Sequence, residues 1–128
     1  MLIDGYISAS AGGSPQALPF FWWQGWSSRY YLTSVFELKN LDCKESGTFI
    51  VVRREANGER TPLFVGTATR ISDDLYDDYG DILLRAIRAG ANEIHINFTA
   101  ETTSQRAAMI EDIADGWCLT NARTPVYA

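Results

Sequence analysis

The chain has 128 residues, 46% hydrophobic and 21% charged, enough for one domain with its own core and unlike a disordered or fibrous polypeptide. Its formal net charge of −5 and pI near 4.7 argue against a dedicated nucleic-acid binder, which needs clustered Lys and Arg for phosphate contacts. No apolar run reaches membrane-spanning length, and Cys43 and Cys118 show neither metal nor disulfide spacing.

At the N-terminus, Met1-Leu2-Ile3 is interrupted by Asp4 and lacks a basic flank, so it does not read as a targeting signal. The expectation is a cytoplasmic, bacterial-type soluble protein with both thiols reduced. Residues 1–19, rich in Gly, Ser, Ala and Pro, read as a loose arm or irregular cover. Phe20 to Trp26 then places five aromatic rings in seven residues. Such a run either folds over the sheet to complete a small core or forms a stacking or partner surface, and core cover is the expectation.

Arg29 to Leu38 alternates and is rich in Tyr, Thr, Val and Phe, which predicts a strand. Asn40 to Ser46 is a polar connection. The stretch Gly47 to Gly66 carries two apolar runs, Thr48–Val52 and Leu63–Val65, on either side of Asn57-Gly58. Asn-Gly between such runs predicts a hairpin, both residues supplying positive φ. Phe49-Ile50-Val51-Val52 is apolar on both faces and reads as a central strand covered twice.

Thr67 to Ile71 reads as an exit loop. Ser72 is placed as the N-cap of a helix with Asp73 and Asp74 in its first turn, and Asp81–Ala89 as a second helical segment stopped by Gly90. Glu93 to Phe98 alternates, Ile94, Ile96 and Phe98 against Glu93, His95 and Asn97, which predicts a half-exposed strand with His95 on its solvent side. Thr102 or Thr103 caps a last helix through Gly116, with Ala107, Ile110, Ala114 and Trp117 on one stripe and Ile113 beside them. The fold class is α+β: a small central sheet, made of the hairpin plus a third strand, flanked by helices, with an extra aromatic-rich strand in front. The domain spans residues 20–122 and a tail covers 123–128.

Gly47-Thr48-Phe49, Pro62-Leu63-Phe64-Val65-Gly66-Thr67, Gly90-Ala91-Asn92-Glu93-Ile94-His95-Ile96 and the terminal helix running to Asn121 together resemble the GIY-YIG nuclease superfamily. The likeness covers Trp22 to Asn121. It implies a GIY-YIG-like sheet and the chemistry of metal-dependent DNA cleavage. In that chemistry two tyrosines and an arginine activate or position the nucleophile, a histidine assists and a glutamate holds a divalent cation.

Carried over by position, the motif tyrosines fall on Phe49 and Phe64, the arginine on Asp74 and the histidine on Asp78. The phenylalanines have no hydroxyl, and the aspartates reverse the charge a phosphate requires. The metal-ligand glutamate falls on Met109 without a gap or on Glu111 with a two-residue shift. Arg70, His95 and Glu111 are the candidates for a rebuilt catalytic site.

Asp73, Asp74, Asp77, Asp78 and Asp81 crowd into nine residues, where on a helix Asp73/Asp77 and Asp74/Asp78 are like-charge i,i+4 pairs that repel. They read as a solvated acidic face, with a divalent-cation site as the sharper alternative. Tyr76 and Tyr79 between them offer packing or a surface for a basic partner. Phosphate loops, Cys-x-x-Cys, nucleophile elbows and His-Glu-x-x-His are absent from the sequence.

The expected function is therefore a catalytically degenerate GIY-YIG-like domain, a non-catalytic binding or regulatory module without a cofactor. Its partner is a protein or a second copy, met through the Phe20–Trp26 patch or the acidic Asp73–Asp81 helix, with neither nucleic acid nor membrane. The alternative is a diverged Mg²⁺- or Mn²⁺-dependent DNA endonuclease. A purely structural, oligomer-forming protein is a third reading.

Overall fold

The computed structural model describes residues 20–119. The arm expected over 1–19, the tail over 123–128 and Asn121 lie outside the described residues. In chain order the elements are β1 (Phe20–Gln24), β2 (Tyr30–Glu37), a 3-10 turn (Leu38–Asn40), β3 (Gly47–Arg54), β4 (Arg60–Ala68), α1 (Ile71–Arg88), β5 (Glu93–Asn97) and α2 (Thr103–Trp117). The fold is α+β: one five-stranded sheet in the order β1-β2-β5-β3-β4, antiparallel throughout.

The strand that is apolar on both faces is covered on both. Phe49, Ile50, Val51 and Val52 are all at 0% exposure. On one side of the sheet α1 lays Ile71, Leu75, Leu83 and Ala86 against Phe49, Val51, Phe64, Ile94 and Ile96. On the other, α2 lays Met109, Ile110, Ile113 and Ala114 against Ile50, Val52, Val65 and Trp23. The alternation of β3 therefore sorts the core into two halves.

The β3–β4 hairpin forms where expected, but its turn differs. Only Gly58 takes positive φ, at 93°. The Gly58 N–H donates to the Glu55 carbonyl at 2.9 Å and the Glu55 N–H to the Glu59 carbonyl at 2.8 Å. That pattern is a type I turn closed by a glycine in the left-handed region, so Asn57 needs no special backbone. Its side chain instead accepts from the Glu59 N–H at 2.9 Å. β4 also runs on through Thr67 and Ala68, placed above in an exit loop, because Gly47 and Thr48 of β3 pair with them.

The two helical segments expected between Ser72 and Ala89 are one helix, kinked at Tyr79 (φ −120°, ψ 19°) beside Gly80. Its N-cap is Arg70, not Ser72. The Ser72 hydroxyl instead accepts from the Cys43 N–H. Asp74 closes the first turn, accepting from the N–H groups of Thr69 at 3.1 Å and Arg70 at 3.0 Å. Gly90 follows the helix at φ 101°, a conformation glycine adopts without strain.

α2 begins with a capping box, Thr102 with Gln105. Its buried residues are Met109, Ile110, Ile113 and Ala114, whereas Ala107 and Trp117, expected on the buried stripe, are exposed. The β1–β2 turn sets this rotation. A Cβ at Gly25 would lie 2.3 Å from the Asp112 carboxylate, and one at Gly116 would lie 2.7 Å from the Trp26 nitrogen. Two glycines thus let the turn sit directly on the helix. Asp112 then accepts from the Ser27 N–H at 2.8 Å, the Ser27 hydroxyl at 2.6 Å and the Tyr31 hydroxyl at 2.7 Å.

β5 departs furthest from its reading. His95 and Asn97, expected on a solvent face, are 0% and 1% exposed. The Phe21 and Trp23 rings reach from β1 over His95, so the polar alternation marks a buried polar seam rather than a wet surface.

The central role of β3 has a direct test in urea unfolding. Phe49→Ala should lose about 3–5 kcal/mol, the range for emptying a fully buried aromatic site. Leu84→Ala, at a side chain left 48% exposed on α1, should stay within about 0.5 kcal/mol of the parent.

Candidate functional site

The positions singled out by the nuclease resemblance fall on both sides of the sheet. Phe49 and Phe64 are 0% and 2% exposed and face α1. Their rings meet edge to face at 5.8 Å, and Tyr79 closes the group at 5.2 Å from Phe49. The Tyr79 hydroxyl turns back to the backbone, donating to the Thr67 carbonyl at 2.7 Å. Gly66 leaves room for this packing, since a Cβ there would lie 2.8 Å from the Phe49 ring and 3.0 Å from the Tyr79 ring. Around these two rings the space is filled by carbon.

Asp74 binds the start of α1, and the Arg70 N–H, followed by the groups of Thr69, holds its carboxyl below the usual range. Asp73 faces Lys44 and Arg70, each at 3.2 Å. Asp77, Asp78 and Asp81 point to solvent. Met109 is buried under the sheet on the α2 side and Glu111 is exposed on α2. The sheet therefore separates Glu111 from the aspartates and from Phe49 and Phe64. Among the described residues no three His, Cys, Asp or Glu side chains gather in a geometry able to hold a metal ion.

His95 belongs to a different constellation, one that sequence reading missed. The Trp23 indole N–H donates to His95 Nδ1 at 2.9 Å, and His95 Nε2 meets Glu93 Oε1 at 2.9 Å. Arg60 Nε donates to the same carboxylate at 2.8 Å. An indole nitrogen can only donate, so Nδ1 must accept and the proton must sit on Nε2. The ring is held as one neutral tautomer. Burial, opposed by the Glu93 hydrogen bond, pushes its pKa below the ordinary 6.5. Burial alone would raise Glu93, but the hydrogen bonds of His95 and Arg60 outweigh it and bring the group down to about 2. Phe21 seals the seam, its ring 5.5 Å from the imidazole and 5.0 Å beneath the Arg60 guanidinium. The signal available in sequence was a charged and a polar residue alternating into a strand beside the central one.

The aromatic run divides by face. Phe21 and Trp23 point toward α2, Trp23 at 1% exposure. Phe20 and Trp22 point the other way and remain 46% and 44% exposed, and Tyr30, opposite Gln24 in register, is 56% exposed. α1 reaches β2 only at Phe36, so among the described residues no helix covers this end of the sheet. The expected core cover is thus half right: one face of β1 is core and the other is surface. A further cleft of about 430 Å³ lies between the 3-10 turn and α1, walled by Leu38, Tyr76 and Ile87. Its Arg54 and Glu93 charges face each other at 3.8 Å.

No helix among the described residues is long and apolar enough to cross a membrane. Compared with protein-family models, with curated proteins and with solved structures, the chain matches none.

The buried seam predicts how stability follows pH. A depressed histidine pKa means that the unfolded chain binds the extra proton, so stability is complete above about 6.5 and falls as pH drops toward the folded value. Glu93 adds a second loss between 4.5 and about 2. His95→Gln keeps an acceptor for Trp23 and a donor for Glu93 without titrating. Thermal melts between pH 7 and 5 should show a steady fall in the parent and a nearly flat line in the variant. Equal slopes would remove His95 as the cause.

Proposed function

We propose that this chain is a non-catalytic binding module, a GIY-YIG-like domain in which the chemistry of phosphodiester cleavage has been lost and a protein surface kept. The observation that carries the reading is the closure of Phe49 and Phe64. Both positions where the resemblance calls for a reactive hydroxyl hold phenylalanine at 0% and 2% exposure, locked against Tyr79. A group that handles the proton of an attacking water must reach that water within hydrogen-bond distance. Neither ring carries such a group, and neither meets solvent.

Electrostatics support the same reading. A phosphodiester approaching α1 would meet Asp77, Asp78 and Asp81 at the surface. Two like unit charges about 5 Å apart at an effective dielectric near 20 repel by roughly 3 kcal/mol, where a nuclease would supply attraction. The surface suited to a partner lies instead at β1, where Phe20, Trp22 and Tyr30 stand exposed on one face that no described element covers. Aromatic side chains of this kind anchor protein interfaces.

Incubation of the purified chain with supercoiled plasmid and Mg²⁺ or Mn²⁺ tests this reading, with Glu111→Ala as control. The expected results are intact plasmid and no DNA retention even at low salt. Nicking that disappears in the control would establish the alternative, a metal-dependent endonuclease rebuilt around Glu111.

A further inference from the structure

We infer that His95 is a proton-operated latch on β1. Protonation of its imidazole releases Trp23 and opens the Phe20–Trp23 end of the strand, with the β1–β2 turn as hinge. The inference goes beyond the binding-module reading and does not rest on it.

The proton acts on one side of the ring only. His95 is the single histidine of the chain, fully buried, with both ring nitrogens engaged. Nε2 meets Glu93 Oε1 at 2.9 Å, a contact that a charged imidazole keeps. Nδ1 accepts from the Trp23 indole N–H at 2.9 Å, and an indole nitrogen has nothing to accept with. A proton on Nδ1 therefore sets two buried donors against each other. Among the described residues the charged groups facing the ring are Glu93 from β5 and Arg60 from β4. These two bind each other, Arg60 Nε to Glu93 Oε1 at 2.8 Å. The neighbours of His95 on β2 and β3 are the apolar Val35 and Ile50. Tyr31 of β2 and Asp112 of α2, titratable and on the same side of the sheet, are bonded to one another at 2.7 Å.

The anchors of β1 decide which part moves. At its Gln24 end the strand is tied to α2: the Gln24 carbonyl accepts from the Trp117 indole at 3.1 Å, and the Trp26 N–H donates to the Asp112 carbonyl at 2.9 Å. The Asp112 carboxylate holds Ser27 as well. Burial opposes its charge, but the hydrogen bonds of Ser27 and Tyr31 outweigh that and keep its pKa below the usual range. The turn thus stays fastened at the pH where an imidazole titrates. Toward the Phe20 end, the Phe21 carbonyl is bonded by Thr33, which belongs to β2 itself. Trp23 carries the side-chain hydrogen bond from there to a strand beyond β2. Phe49–Val52 of β3, by contrast, are buried among apolar side chains and have no group that titrates. Acid should therefore loosen β1 while the central strand holds, and bring Phe21 and Trp23 out beside Phe20 and Trp22.

Amide hydrogen exchange read by NMR on the full chain between pH 7 and 5 tests the latch. Protection factors remove the intrinsic pH dependence of exchange. Opening of β1 should increase about tenfold for each pH unit below 6.5 until the closed form is itself protonated, as linkage to one proton requires. Amides of Phe49–Val52 should keep their protection over the same range. The Trp23 indole N–H signal should move in step with the His95 ring signals, which a single histidine makes unambiguous. In His95→Gln the protection of β1 should be flat. Trp23→Phe keeps a ring in the seam and removes the donor, so the imidazole should titrate at a higher pH than in the parent. A pair that only packs predicts no such shift. Loss of protection in β1 and β3 together, protection of β1 that ignores pH, or an equal fall in His95→Gln would overturn the inference. The first two outcomes are read on the unmodified chain and need no variant to fold.

Discussion

Two-sided burial of β3 is the constraint on which the rest of this structure depends. A strand with Phe49 and Val51 on one face and Ile50 and Val52 on the other, all at 0% exposure, must be covered by two separate layers. α1 and α2 supply them, one on each face. Because side chains alternate along a strand, a one-residue slip would exchange the two halves of the core. The shift between Val51 and Val52 moves Pro62 opposite Val52 without disturbing that alternation on β3 itself. The same constraint separates the acidic helix from Glu111, since each helix belongs to a different side of the sheet. Any reading that joins those carboxylates into one catalytic site must overcome a five-stranded barrier.

The α2 side is tied together by polar groups, and these have a different logic. Trp23, His95, Glu93 and Arg60 form a chain of donors and acceptors running from β1 across β5 to β4. Each group is buried or half-buried, and removing one would leave its neighbours unsatisfied at a cost of about 1–3 kcal/mol. Asp112 does the same for the β1–β2 turn. Burial works against its charge, but hydrogen bonds from Ser27 and Tyr31 outweigh this and lower its pKa. The Tyr31 hydroxyl answers in the opposite direction, pushed up to about 12 by burial and then by Asp112. These two anchors specify where β1 sits. Apolar contacts alone would tolerate a slide of the aromatic strand, whereas the indole-to-imidazole bond does not.

Elements whose signal was local were legible in the sequence. The hairpin around Gly58, a cap at Thr102 or Thr103, the glycine stop at Gly90 and the doubly apolar β3 each follow from a few neighbouring residues. Errors arose where the deciding partner was distant. Ser72 has the composition of an N-cap, but Cys43 claims its hydroxyl and Asp74 closes the turn instead. Ala107 and Trp117 fit the period of a buried stripe as well as Met109 does, and the contact of Gly116 with the β1–β2 turn decides between them. His95 alternates like a solvent-facing residue, and only the arrival of Trp23 from 72 residues away makes it core. At the candidate site, the lack of a hydroxyl at Phe49 and Phe64 was visible directly. Their sealing beneath Tyr79 was not, because the kink that places that ring arises from the joining of two helical segments.

Closure at Phe49 and exposure at β1 have one physical origin. The sheet is five strands wide, and α1 covers the half built from β3, β4 and β5, reaching β2 only at Phe36. Centring the helix there packs Tyr79 onto Phe49 and Phe64 and closes the space beside those two rings. The same placement leaves the β1–β2 end without a helix on that face, so Phe20, Trp22 and Tyr30 have no cover within the described residues. Moving α1 toward β1 would cover those rings but uncover the central strand. On that face Phe49 and Val51 of β3, with Phe64, Ile94 and Ile96 beside them, outweigh three half-exposed rings at the edge, at about 25 cal/mol for each Å² of apolar surface removed from water. The helix therefore stays over the centre, and among the described residues this face of the β1–β2 end is left without a helix.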